Sequence, residues 1–152
     1  MAEELRPNLG PFMHAVCFQY LRVGAEEYGG RALIVAAGRQ RGLDLIEELG
    51  LMNTSSDAAT IKAKLYTALG KDGTRLCVVE QVTAKDNGGY EVRLTEGACP
   101  AGKHSDEPLC AFTLGVFIGA ISAIVGKRMT GQETECTACG APMCIYQIDP
   151  IA

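Results

Sequence analysis

Three thiols fall within nine residues near the C-terminal end of the chain, in the stretch Glu133-Thr-Glu-Cys136-Thr-Ala-Cys139-Gly-Ala-Pro-Met-Cys144. Two carboxylates, Glu133 and Glu135, sit just upstream. A fourth thiol, Cys110, opens the apolar run that precedes this stretch. Thiolates and carboxylates gathered round a Gly/Pro turn are the donors that a tetrahedral zinc ion takes. Cys136 and Cys144 lie at the two ends of a hairpin-like turn and can converge on one ion. Cys110, at a helix start, adds a non-local ligand whose thiolate form the helix N-terminus favours. From residue types alone, Cys110, Cys136, Cys139 and Cys144 make as good a four-donor site as one in which Glu133 takes part. Cys99 and His104, in the preceding loop, are ligands by type as well. A structural rather than catalytic metal is the expectation, because no general base stands out beside the cluster.

The elements that must position these residues follow from pattern. Residues 12–28 carry apolar side chains at helical spacing, ending before Gly29-Gly30. A second helix begins near Arg31, with Gly38 as a break or close contact, and continues through residues 42–49. The loop Asn53-Thr-Ser-Ser-Asp57 offers N-cap chemistry for a third helix over 58–69, capped by Gly70. The period then changes. Residues 74–84 and 90–95 read as strands joined at Asp86-Asn87-Gly88-Gly89, a hairpin turn. A long uncharged helix runs to about Val125, and strands follow at 128–136 and 143–148. Helices, then a hairpin, then a helix and a second hairpin define an α+β fold with an antiparallel sheet in one domain, residues 1–152.

Composition narrows the function classes. Of 152 residues, 47% are hydrophobic and 21% charged, which suits a globular core. The net charge is −4 and basic residues do not cluster, so no nucleic-acid footprint is present. Seven cysteines, an odd number, behind the acidic start Met-Ala-Glu-Glu fit a reducing cytoplasm with thiols free or on metal. Residues 109–125 include Gly115 and Gly119 at the spacing of a membrane-helix interface. The run is at the short limit for spanning, so no membrane insertion is expected. A buried helix packed closely through Gly115, Gly119 and Ser122 accounts for it.

The spaced pattern from Cys110 to Ile148 resembles the C-terminal part of the 4-vinyl reductase, or hydrocarbon-binding, domain family. It comprises Cys110, Gly115, Gly119, Glu133, Cys136, Gly140, Cys144, Tyr146 and Ile148. Related domains act as aromatic sensors in bacterial phenol-responsive activators. The resemblance covers about forty residues, and before them only the order of elements agrees. It implies a dimeric domain similar to transport-particle (TRAPP) subunits and zinc held by three Cys and one Glu. Those four are Cys110, Glu133, Cys136 and Cys144, which sets Glu133 before Cys139. The implied function is binding of an apolar or aromatic small molecule. The alternatives are a vinyl reductase or accessory protein of tetrapyrrole metabolism, and an assembly or scaffold subunit.

Three further expectations concern packing. Apolar residues on more than one face of the first helix suggest that part of it buries against a second copy, giving a homodimer. Phe18, Leu114, Phe117, Ile118 and Ile121 are the expected walls of the apolar pocket, or else fill the core. His14 reads as a core or interface histidine, and Cys17 and Cys77 as packing thiols. The stretch Ala36-Ala-Gly38-Arg-Gln-Arg-Gly42 lacks the Gly-Lys-Ser/Thr ending of a phosphate loop and is a solvated helix segment.

Overall fold

A computed structural model describes residues 6–151. Four helices and four strands follow the order α1 (Ala15–Gly29), α2 (Arg31–Glu48), α3 (Ala58–Leu69), β1 (Val78–Ala84), β2 (Tyr90–Thr95), α4 (Ala111–Val125), β3 (Met129–Glu135) and β4 (Cys144–Pro150). The strands form one sheet in the order β1-β2-β4-β3, antiparallel throughout. This is the expected α+β architecture. Among the described residues no helix is long and apolar enough to cross a membrane.

Local chemistry sets most boundaries. The Asp57 carboxylate caps α3 by accepting from the Thr60 N–H at 2.9 Å and the Thr60 hydroxyl at 2.7 Å. These hydrogen bonds hold its pKa below the ordinary carboxylate value. In the first hairpin, Gly88 sits at φ +84° and the Gly89 N–H donates to Asn87 Oδ1 at 2.8 Å. β2 alternates as a half-covered strand should, with Tyr90, Val92 and Leu94 turned inward.

Two boundaries differ from expectation. α1 begins at Ala15 because His14 caps it: its Nδ1 accepts from the Val16 N–H at 3.2 Å. His14 is therefore an exposed cap rather than a core histidine, and Cys17 is exposed as well. β1 begins at Val78 rather than Thr74. The amides of Thr74, Leu76 and Cys77 donate back to Ala68 and Leu69 at the end of α3, so this segment closes a loop instead of joining the ladder.

α4 is buried along nearly its whole length, between the sheet on one side and α2 on the other, which accounts for its uncharged sequence. Glycines bring α2 and α4 together. A methyl group on Gly38 would collide with the Phe112 carbonyl, and one on Gly42 with the Val116 carbonyl. On α4, Gly115 faces Val35 and Gly119 faces Arg39, again at carbonyl oxygens. The close packing expected at Gly115 and Gly119 thus has a matching Gly38-xxx-Gly42 on the partner helix.

A Gly119→Ala substitution places Cβ 2.9 Å from the Arg39 carbonyl carbon and 3.0 Å from the Leu43 nitrogen. Backbone cannot rotate aside as a side chain does. The expected loss of stability is at least the ~1–3 kcal/mol of ordinary overpacking. Urea unfolding measures it; an unchanged midpoint contradicts this account of the helix contact.

Candidate metal centre and adjoining cavities

Cys110, Glu133, Cys136 and Cys144 come together at the end of the sheet, with one donor atom from each lying within 4.8 Å of all the others. Each reaches the site by a different device. Cys110 is the residue before α4. Glu133 lies on β3 opposite Tyr146, at a bulge that shifts the register before Glu135. Cys136 follows β3 and starts a one-turn 3-10 helix, Thr137–Cys139, that Gly140 closes at φ +98°. Cys144 is the first residue of β4. All four are buried.

The geometry fits a tetrahedral ion. Cys110 Sγ lies 3.5 Å from Cys144 Sγ and 4.0 Å from Cys136 Sγ. Metal–sulfur bonds of the length found in Cys-ligated tetrahedral sites set sulfur–sulfur separations of about 3.8 Å. The Thr137 N–H donates to Cys144 Sγ at 3.4 Å, the kind of donor that stabilises a thiolate. The two oxygens of Glu133 are not equivalent. Oε1 accepts from the Cys110 N–H at 3.1 Å and from Arg31 Nη2 at 3.1 Å. Oε2 is buried without a partner. Such an orphaned carboxylate oxygen is costly unless something accepts its lone pairs, so Oε2 is the oxygen left for an ion.

Electrostatics point the same way. Thiol hydrogen bonds from Cys110 and Cys144 push the Cys136 thiol well below its ordinary pKa. Hydrogen bonding to Cys136 and Cys144 and then burial push Cys110 strongly up. Burial raises Glu133 too. The protein alone stabilises one thiolate here and resists the rest; a bound cation is what would let several donors ionise together.

Cys139 is exposed and His104 is exposed; neither is in the group of four. Cys99 is buried 3.3 Å from the Thr113 hydroxyl and also lies outside it. Cys77 is buried, and burial raises its thiol pKa.

Arg31 is the functional neighbour that sequence reading missed. It is the first residue of α2, and its guanidinium spans two groups: Nη1 donates to the Pro108 carbonyl and Nη2 to Glu133, each at 3.1 Å. Glu26 approaches Arg31 at 3.9 Å and accepts from Arg22 at 2.7 Å. An ion-pair ladder, Arg22–Glu26–Arg31–Glu133, therefore runs from α1 to the cluster. An open cavity of about 670 Å³ adjoins the ladder, with Glu26, Arg31, Leu114 and Glu133 on its wall.

A second cavity, of about 510 Å³, lies under the N-terminal half of α1. Phe18, Leu45, Leu69, Phe112 and Val116 supply its apolar surface. Of the five expected pocket residues, Phe18 lines this cavity and Leu114 the one by Arg31. Phe117, Ile118 and Ile121 are packed into the core, where the Phe117 ring meets Tyr146 edge-on at 5.6 Å.

Comparison with known proteins sets this geometry in a family. Residues 91–150 match the model of the 4-vinyl reductase domain, the family that the cysteine pattern resembles. A 50-residue stretch is 40% identical to the bacteriochlorophyll synthase 23 kDa chain of Cereibacter sphaeroides; it spans 33% of this chain and 24% of that protein. The fold is similar to the phenol-responsive sensory domain of the transcription activator PoxR with phenol. That likeness has a TM-score of 0.70 and 21% identity, over 92% of this chain and 76% of that one. It is also similar to a trafficking protein particle complex subunit 3 from Naegleria fowleri, covalently bound to palmitic acid. Here the TM-score is 0.60 and the identity 15%, over 91% and 93% of the two chains. The two structural likenesses establish the TRAPP-subunit-like fold.

Arg31→Ala removes the fork that joins Pro108 to Glu133 and leaves a buried carboxylate short of a donor. Because the Arg31 side chain is 38% exposed, the expected loss is about 1–2 kcal/mol, below that of a fully buried pair. Arg31→Lys keeps the charge but not the fork, and recovers only part of it. Denaturant unfolding of the two variants checks this; equal stability of Arg31→Ala and parent refutes it.

Proposed function

We propose that this chain is a small-molecule-binding domain of a sensory or regulatory kind, stabilised by one structural zinc ion and working as a homodimer. The observation that carries the reading is the separation of two features. A closed four-donor cluster stands at the sheet end, and an apolar cavity of about 510 Å³, within the usual range for small-molecule sites, lies beneath α1.

Zinc suits three thiolates and one carboxylate in a tetrahedron, and four protein donors leave no open position for substrate or water. Its contribution is structural: it ties Cys110 before α4 to Cys144 on β4. The 4-vinyl reductase resemblance and the donor set support this assignment together. In the pocket, Phe18 is a wall residue. Leu114, Phe117, Ile118 and Ile121 seat α4 so that its Phe112 and Val116 front the cavity. The likeness to a phenol-responsive domain favours an apolar or aromatic ligand, and burial supplies the affinity. Free thiols fit a cytoplasmic setting.

The surface of α1 supports dimerisation. Its buried residues are the polar Gln19 and Arg22, while Val16, Tyr20, Leu21, Val23 and Tyr28 face outward. Gln19 donates to the carbonyls of Ala98 and Ala101 at 2.9 and 3.0 Å. A helix that docks by its polar side leaves an apolar side for a second copy.

A second reading, an accessory protein of tetrapyrrole metabolism, draws on the segment similar to the bacteriochlorophyll synthase chain. Visible absorbance of a tetrapyrrole retained through purification would favour it over the first.

Native mass spectrometry of protein purified without added ligand tests the principal reading. The expected species is a dimer, twice the 16.1 kDa chain, with one zinc per chain. A metal-free monomer refutes it. Cys136→Ser is expected to cost more than about 4 kcal/mol, as loss of a structural metal does, whereas Cys139→Ser at the exposed position changes stability by no more than about 0.5 kcal/mol. The reverse order would exclude this donor set.

A further inference from the structure

The cavity beneath α1 is not uniformly apolar. Two charged residues line it, Arg41 and Arg75, and no acidic residue does. Between α3 and β1, Thr74 also reaches the cavity, and its hydroxyl is buried without a hydrogen-bond partner. We propose that the cavity takes an amphiphile: an apolar body ending in an oxyanion, carboxylate or phosphate, that Arg41, Arg75 and Thr74 hold. This rests on the reading of the cavity as a ligand site and adds the chemistry of the ligand.

The arginines have donors to spare. Arg75 Nε donates to the Lys71 carbonyl at 3.0 Å, and the guanidinium stacks 5.2 Å from the Phe12 ring centroid. No carboxylate among the described residues pairs with it. The contact of Arg41 with Glu48 is long, at 3.7 Å, between two exposed side chains, and such pairs are weak. Guanidinium groups present a planar fork that matches carboxylate and phosphate oxygens.

The segment that carries Thr74 and Arg75 is built to stay put. The amides of Thr74, Arg75 and Leu76 donate to Ala68, Gly70 and Leu69 at 2.9, 3.0 and 2.8 Å. Arg75 holds φ +58°, in the left-handed region that a long side chain seldom adopts. Strain of this kind persists where surrounding bonds over-determine it, and it concentrates at ligand clamps. Here it fixes two donors at the mouth of an otherwise apolar cavity. The apolar end of the ligand then lies against Phe18, Leu69, Phe112 and Val116, and the N-terminal residues of α1 cover it.

Isothermal titration of the full chain with n-decanoate, n-decyl phosphate and n-decanol tests the proposal. The expected result is that an oxyanion binds roughly tenfold or more tighter than the alcohol, the margin of a charge-assisted hydrogen bond. Arg75→Gln and Arg41→Gln should each shrink that margin without altering decanol binding. Thr74→Val should weaken oxyanion binding while leaving the ligand-free melting temperature equal or higher, since it removes an unpartnered hydroxyl. Ala15→Trp, which fills the cavity from an exposed position, should abolish binding of all three.

Equal binding of decanol and both oxyanions, unchanged in the arginine variants, overturns the oxyanion clamp while the apolar pocket stands. No binding of any probe overturns the clamp and the pocket together. Binding that survives Ala15→Trp places the site elsewhere and overturns the proposal. Decanoate that splits a dimer in light scattering shows that a second copy occupies the cavity, and overturns it as well.

Discussion

Direct backbone contact between α2 and α4, across Gly38 and Gly42 on one helix and Gly115 and Gly119 on the other, sets the placement of both sites. With no side chains between them, the two helices have little freedom to slide or roll, because each glycine lies against a carbonyl of its partner. The register of that contact delivers Arg31, at the start of α2, to Pro108 and Glu133 just where α4 begins. Ten residues on, about 15 Å along the same helix, it delivers Arg41 and Leu45 to the cavity under α1. One helix thus carries a positioning residue of the cluster at its start and a wall of the cavity further along.

α1 is attached differently. Its inward face carries Gln19 and Arg22 rather than leucines, and it is held by two hydrogen bonds to loop carbonyls and by the Arg22–Glu26 pair. Arg22 keeps two guanidinium nitrogens buried and unpartnered. Few apolar contacts and some unsatisfied donors describe an element at the low end of local stability. Such an element suits a cover that opens for a ligand better than a structural wall. The ladder from Arg22 through Glu26 and Arg31 to Glu133 means that displacing α1 also disturbs a partner of the cluster carboxylate.

Legibility in the sequence followed locality. α3 matches its expected bounds because an Asp cap and a following Gly mark both ends. The hairpin is equally plain at Asn87-Gly88-Gly89. Cys136 and Cys144 converge through a turn whose Gly140 and flanking strands can be read directly. Cys110 and Glu133 were legible only through their spacing in a family pattern, for nothing local brings a helix start against a bulged strand. Arg31 carried no signal, because its role depends on the α2–α4 register, a contact between segments far apart in the chain. α1 misled for a physical reason: helical periodicity reports that an apolar stripe will be buried but not by what. Its stripe faces outward, and two polar residues fill the inner side. The same limit applies to α4. Spacing groups Phe117, Ile118 and Ile121 with Leu114, yet the void lies on the side of Phe112 and Val116.

The arrangement also separates stability from selectivity. A cluster with four buried protein donors gains nothing from a passing ligand, since no coordination position is open; its effect is to restrain the segment from Cys110 to Cys144, 34 positions apart, and so to lower the entropy that folding must overcome. The cavity has the opposite character. Its apolar wall comes from α2, α3 and α4, which the core holds, whereas its cover and its polar mouth come from the start of α1 and the loop at Thr74 and Arg75. Changes in those two segments alter what fits without touching the core that the glycine contact and the cluster hold in place. Specificity in this fold is therefore free to vary at residues 11–18 and 74–76, while Gly38, Gly42, Gly115 and Gly119 are confined by backbone on every side that matters.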